Sequence, residues 1–163
     1  MLDRIENLAL VLWVGALLSI GYLAAPVLFQ NLEDRRLAGE LAGIMFRLVG
    51  WIGLVVGVGL LMRTTLRSGI HHWRAWTLLG MLVLVAIMQF GLQPYMADLK
   101  AQGLAVGSDA ARQFGMLHGV SSLLYLLNSI GGVVLVLFGL VPRPRSNMGG
   151  FSGGRDKSRA LFR

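Results

Sequence analysis

Four apolar runs, each long enough to cross a lipid bilayer, leave this chain few ways to fold. They cover about residues 5–29, 41–62, 73–93 and 114–141. A helix rising ~1.5 Å per residue needs about 20 apolar residues to cross a hydrocarbon core of about 30 Å. Within lipid, every main-chain N–H and C=O must be bonded inside the segment, so such runs become helices. Charged residues are 14% of the chain, against about 25% in a soluble domain, and they crowd into the short segments between the runs. The expected fold is all-α: a polytopic membrane protein with a four-helix transmembrane bundle over residues 1–141. After Val141 comes Pro142-Arg143-Pro144-Arg145, then mostly Gly, Ser and basic residues. That composition buries no core, so residues 142–163 are expected to be a disordered basic C-terminal tail.

The net charge is +7 and there is no cysteine. Without cysteine there is no disulfide, thiolate metal site or thiol nucleophile. The positive excess flanks the runs and fills the tail, which fits anionic lipid at the cytoplasmic face rather than nucleic acid. Lys and Arg set the orientation. The amino end, the second connection and the tail hold ten of them, and the other side holds four (Arg35, Arg36, Lys100, Arg112). Both termini are therefore expected in the cytoplasm of a cell inner membrane. The opening residues are not basic overall and the first run exceeds the ~7–15 residues of a leader core, so an uncleaved first span is expected.

Small residues mark where helices can approach closely. Gly15 and Ser19 form a small-xxx-small pair on the first run, and Gly50, Gly53 and Gly57 share one face of the second. These five are the expected helix-packing positions, and a homo-oligomer or a membrane protein partner is a further use for such faces. Pro26 is expected to kink or end the first helix, and Pro94 to end the third. Trp73 and Trp76 suit an interfacial belt, while Trp13 and Trp51 are placed in the core.

The fourth run carries a polar stripe: His118, Ser121, Ser122, Tyr125, Asn128 and Ser129. At about 100° per residue these fall within roughly 120° of arc, a face expected to look into the bundle. Arg47, Gln89 and Gln93 lie towards the same end of their own runs. Arg47, Gln89, Gln93, His118, Ser122 and Asn128 are therefore the candidate lining of a polar pocket near the outer side. Each has a plainer reading: Arg47 can snorkel outwards, His118 can hydrogen-bond to Gln89, Gln93 or a serine, and Asn128 can join helices. His118 could also ligate haem iron, which needs a single protein ligand in some proteins, but no wider metal site is indicated. No nucleophile–base–acid set or pair of intramembrane carboxylates suggests an enzyme. The expected role is to bind or pass a small solute or dock a partner. The rivals are a haem-binding redox protein and an assembly or scaffold factor.

Several short pieces stand in a telling order: Trp13-x-Gly15, Ala25-Pro26-x-Leu28-Phe29, Gly43-x-x-Phe46, Gln93-Pro94-Tyr95-Met96, and Phe114-x-x-Leu117-His118-Gly119-x-Ser121 followed by Asn128. In this the chain resembles the transmembrane protein 205-like family, whose module is also known as domain of unknown function 4149. The resemblance implies a small four-span protein of a bacterial inner membrane and brings no established activity. The copper-resistance D and four-helix protoporphyrinogen-oxidase groups have a similar layout, but they use more intramembrane histidine than this chain offers.

Overall fold

The computed structural model describes residues 2–105 and 107–139. The expected disordered tail lies outside the described residues, as do positions 140 and 141 at the end of the fourth run. Among the described residues, four long helices make up the fold: α1 (Leu2–Asn31), α2 (Arg35–Ser68), α3 (Trp73–Gln102) and α4 (Asp109–Phe138). Each is long and apolar enough to cross a membrane. At 30 to 34 residues they run to about 45–51 Å at ~1.5 Å per residue, so each projects beyond a hydrocarbon core of about 30 Å.

The starts of the last three helices are capped by side chains that accept otherwise unpaired N–H groups. Asp34 accepts from Arg36 and Leu37 at 2.8 and 3.2 Å, Ser108 from Ala111 at 3.1 Å, and His72 Nδ1 from Arg74 at 3.4 Å. Gly69 and Gly103 end α2 and α3 with φ of 76° and 89°, backbone that other residues rarely adopt. The connections are thus shorter than the sequence suggests.

The prolines do not end α1 or α3. Proline lacks an N–H, and its ring crowds the carbonyl four residues back. In α1 the backbone widens to π geometry over Ile20–Ala24, ending two residues before Pro26, and the Ala25 N–H reaches the Ile20 carbonyl. The same happens in α3 over Ile87–Leu92, before Pro94, where the Gln93 N–H reaches Met88. Widening the turn makes room for the ring, and the helix then continues.

The helices pack as a ring in which each touches the next in sequence and α4 closes on α1. The core joins Leu10, Trp13 and Val14 of α1 to Leu60 of α2, Leu78, Met81 and Val85 of α3, and Leu135 of α4. Trp13 is only 1% exposed and packs against the glycine face of α2. A Cβ at Gly53 would stand 2.6 Å from Trp13 Nε1, and one at Gly57 would stand 2.7 Å from Leu82 Cδ2. Gly57→Leu is therefore expected to lower stability by about 1–3 kcal/mol through overpacking. A fall in the midpoint of a sodium dodecyl sulfate titration measures it; an unmoved midpoint contradicts this packing.

Two expectations are corrected here. Among the described residues, Gly15 has nothing within 4 Å of a built Cβ and Ser19 is exposed, so this pair does not form the close helix crossing that Gly53 and Gly57 make. Trp13, Val14 and Leu17 take the inward face of α1 instead. Trp51 is 49% exposed and packs edge-on against Phe90, with ring centroids 5.6 Å apart, on the outside of the bundle.

The two ends of the bundle differ in charge. At the end holding Leu2 and Phe138, Arg63 pairs with Glu6 and Arg67 with Asp3, joining α2 to the first turns of α1. Arg74 Nη2 donates to the Phe138 carbonyl at 3.0 Å, tying the start of α3 to the end of α4. At the opposite end, Lys100 Nζ donates to the Gly39 carbonyl at 3.4 Å and lies over the Phe114 ring.

Candidate functional site

Polar groups enter the bundle interior at the level of the two π segments. Tyr125 of α4 donates its hydroxyl to the Leu17 carbonyl of α1 at 2.5 Å. In a regular helix that carbonyl accepts from the amide of residue 21. The residue there is Gly21, and any Cβ on it would overlap the Tyr125 ring. The Tyr125 ring meets Phe46 of α2 edge-on with centroids 5.1 Å apart, and Tyr22 of α1 at 6.3 Å. It thus reaches across the bundle from α4 to both α1 and α2.

A parallel arrangement joins α3 to α2. Gln89, in the π segment of α3, donates from Nε2 to the Arg47 carbonyl at 3.3 Å. Gly50 makes the approach possible, since a Cβ there would stand 2.5 Å from Gln89 Oε1. Both bonds join a polar side chain to a main-chain carbonyl of another helix, and both depend on a glycine.

Asn128 lies one turn from Tyr125, towards the termini. It is 0% exposed, and both its amide nitrogen and oxygen lack a partner among the described residues. An amide offers two donor hydrogens and an acceptor oxygen, so Asn128 brings unused hydrogen-bonding capacity to the bundle centre. Trp13 Nε1 is likewise buried and unpartnered. Ser129 is satisfied, donating to the Tyr125 carbonyl at 2.9 Å. The layer of Gln89, Tyr125, Asn128 and Ser129 contains no charged side chain.

The polar stripe of α4 divides. Its half nearer the termini, Tyr125, Asn128 and Ser129, faces inwards. The other half does not: His118 and Ser122 are exposed. His118 and Tyr125 are two turns apart and so share a face, but the environment changes between them. Near Tyr125 the neighbour is the first part of α1; nearer the loops, the last segment of α1, Ala25–Asn31, packs on α2. The α1–α4 side is left open there. Ser121 and Ser122 are satisfied without a second helix, both donating to the His118 carbonyl at 2.9 and 2.8 Å. The His118 ring stacks on Phe114, centroids 6.1 Å apart, and does not bond to Gln89 or Gln93.

Arg47 is exposed, with its side chain on the outer face of α2, and contributes only its carbonyl to the layer. Gln93 is half-buried just beyond the α3 π segment. Of the six candidates, Gln89 and Asn128 lie in the interior, His118 and Ser122 at its open side, and Arg47 and Gln93 apart from both. Among the described residues, no group of three or more His, Cys, Asp or Glu could hold a metal ion. Sequence reasoning missed the reach of Tyr125 and the role of Gly21. The available signal was a glycine five residues before a proline within an apolar run, facing a helix that carries a tyrosine.

A cavity of about 270 Å³ lies elsewhere, between α2 and α3 towards the termini. Its lining includes Leu61, Met62, Ile70, Trp76 and Leu79, with Thr65 as its one polar side chain, so it lacks the chemistry of the layer.

A family model described as Domain of unknown function (DUF4149) matches residues 8–105, which take in most of α1, all of α2 and all of α3. No curated protein and no solved structure matches the chain.

Proposed function

The chain belongs to the Domain of unknown function (DUF4149) family, and from that premise we propose that it binds or passes a small neutral polar solute in the membrane and catalyses no reaction. The observation that carries the reading is Asn128, fully buried and unpartnered beside a layer of hydrogen-bonding groups. Such a group is costly to retain in a dry interior, by about 1–3 kcal/mol. A solute that bonds to it would offset that cost. Helices α1 and α3 supply further support. They run the same way and are interrupted at corresponding places by a π segment and a proline, the pattern that marks binding sites in transporters built from repeats. The solute is neutral because the layer has no charge to pair with an ion. Entry is from the α1–α4 side, past His118 and Ser122.

The remaining assignments belong to the same proposal. The chain is a transmembrane protein 205-like protein of the cell inner membrane, with both termini cytoplasmic. Its Arg63, Arg67 and Arg74 end lies against anionic lipid. Stopped-flow uptake of glycerol and of urea by proteoliposomes tests the function. Uptake above that of protein-free vesicles, lost in Asn128→Leu, is the expected result; no excess uptake of either, and no thermal shift with either, contradicts it. The rival is haem at His118, whose imidazole stacks only on Phe114. A Soret band that shifts on reduction and vanishes in His118→Ala would replace the solute reading.

A further inference from the structure

We propose that α1 hinges at its π segment and that the Tyr125–Leu17 hydrogen bond is the latch holding the hinge shut over Asn128. Its purpose rests on the solute reading above, but the hinge stands on geometry alone. Three features of α1 coincide. The phenol hydroxyl donates to the Leu17 carbonyl, within a turn of the shifted bond from Ala25 N–H to the Ile20 carbonyl. The π segment Ile20–Ala24 begins directly before Gly21. Pro26 follows, with no N–H to give. The segment Ala25–Asn31 is therefore joined to the rest of α1 through a shifted register that an intruding side chain helps to hold.

A second register is available. When the phenol withdraws, Ala25 N–H can move from the Ile20 carbonyl to that of Gly21, its partner in a continuous α-helix, and the π segment relaxes towards α geometry. Two discrete arrangements of one element are what a switch requires. The plug is well placed to matter. The Tyr125 ring is wedged between Tyr22 and Phe46, and Asn128 and Ser129 lie a turn beneath it on α4. The α3 π segment has no counterpart latch, because there the inserted group is its own Gln89, and the bond goes to an uninterrupted α2.

Native cysteine is absent, so a single Ser129→Cys gives a clean reporter at a site that is 3% exposed. The probe is a water-soluble methanethiosulfonate added to the full-length protein in nanodiscs without solute. Tyr125→Phe keeps the ring and removes the latch, and the labelling rate is expected to rise about two- to tenfold, the range set by losing one hydrogen bond. Gly21→Ala forces the ring out and should raise the rate at least as much. Thr64→Cys, 7% exposed on α2, serves as the control and should keep its rate in both backgrounds. An unchanged rate at Ser129→Cys in both variants overturns the proposal. A parallel rise at Thr64→Cys, which signals general loosening, also overturns it. Solute uptake is not read here, so failure of the hinge and failure of the binding reading are distinguishable.

Discussion

Asn128→Leu is expected to stabilise the bundle by about 1–3 kcal/mol, the usual penalty of a buried unpaired polar group, while abolishing glycerol and urea uptake. Most core substitutions destabilise, so the sign is diagnostic. Leucine matches asparagine in side-chain branching and heavy-atom count, and the site is fully enclosed with no hydrogen bond to lose among the described residues. Replacing such a group with an apolar one of similar shape removes an unmet demand. A resistance to sodium dodecyl sulfate unfolding that rises as uptake falls would identify Asn128 as a binding group kept at the expense of stability. A fall in stability would instead make it a joint between helices, the plainer reading of an intramembrane amide.

Trp13→Ala is expected to cost about 3 kcal/mol or more, whereas Trp51→Ala should change stability by no more than about 0.5 kcal/mol. Trp13 is the largest of the fully buried side chains and fills the space that Gly53 and Gly57 leave open. Lipid tails are as apolar as the bundle interior, so the loss is mainly one of dispersion contacts across the cavity rather than of transfer from water. Trp51 touches Phe90 on the outer face, where lipid can fill the space its ring vacates. Unfolding midpoints of the two variants, measured side by side, check the contrast. Equal losses would contradict the placement of the two rings.

That contrast also shows which parts of the structure could be read from the chain. The number of helices and their membrane character follow from the length of the apolar runs, because lipid admits few alternatives. Which faces turn inwards does not follow so easily. In water, an apolar stripe marks the core; in lipid, both faces of a helix are apolar, so Trp13 and Trp51 look alike in the sequence. Glycine spacing has the same ambiguity: Gly53 and Gly57 meet other helices, while Gly15 meets none. The sequence does not show that α1 continues past Pro26 or α3 past Pro94, because a π turn can absorb a proline, a solution that leaves no distinct pattern in the residues.

The candidate site was partly legible for a related reason. Helical periodicity places His118, Tyr125 and Asn128 on one face of α4, and that much holds. Whether a face is enclosed depends on the neighbouring helix, and α1 covers only the part nearer the termini. The polar stripe thus continues from an open side into the interior, with Tyr125 where the two meet. The inserted phenol was not legible, since it depends on the register of two helices far apart in sequence.

The most direct test of the account is the water accessibility of that open side. Single cysteines replacing His118 or Ser122 in intact vesicles, challenged with water-soluble and lipid-soluble maleimides, provide the measurement. The account predicts rapid labelling of both positions by the water-soluble reagent from one side of the membrane, slowed by glycerol or urea. Labelling by the lipid-soluble reagent alone would show that these residues face acyl chains, and would contradict an entry route to Asn128.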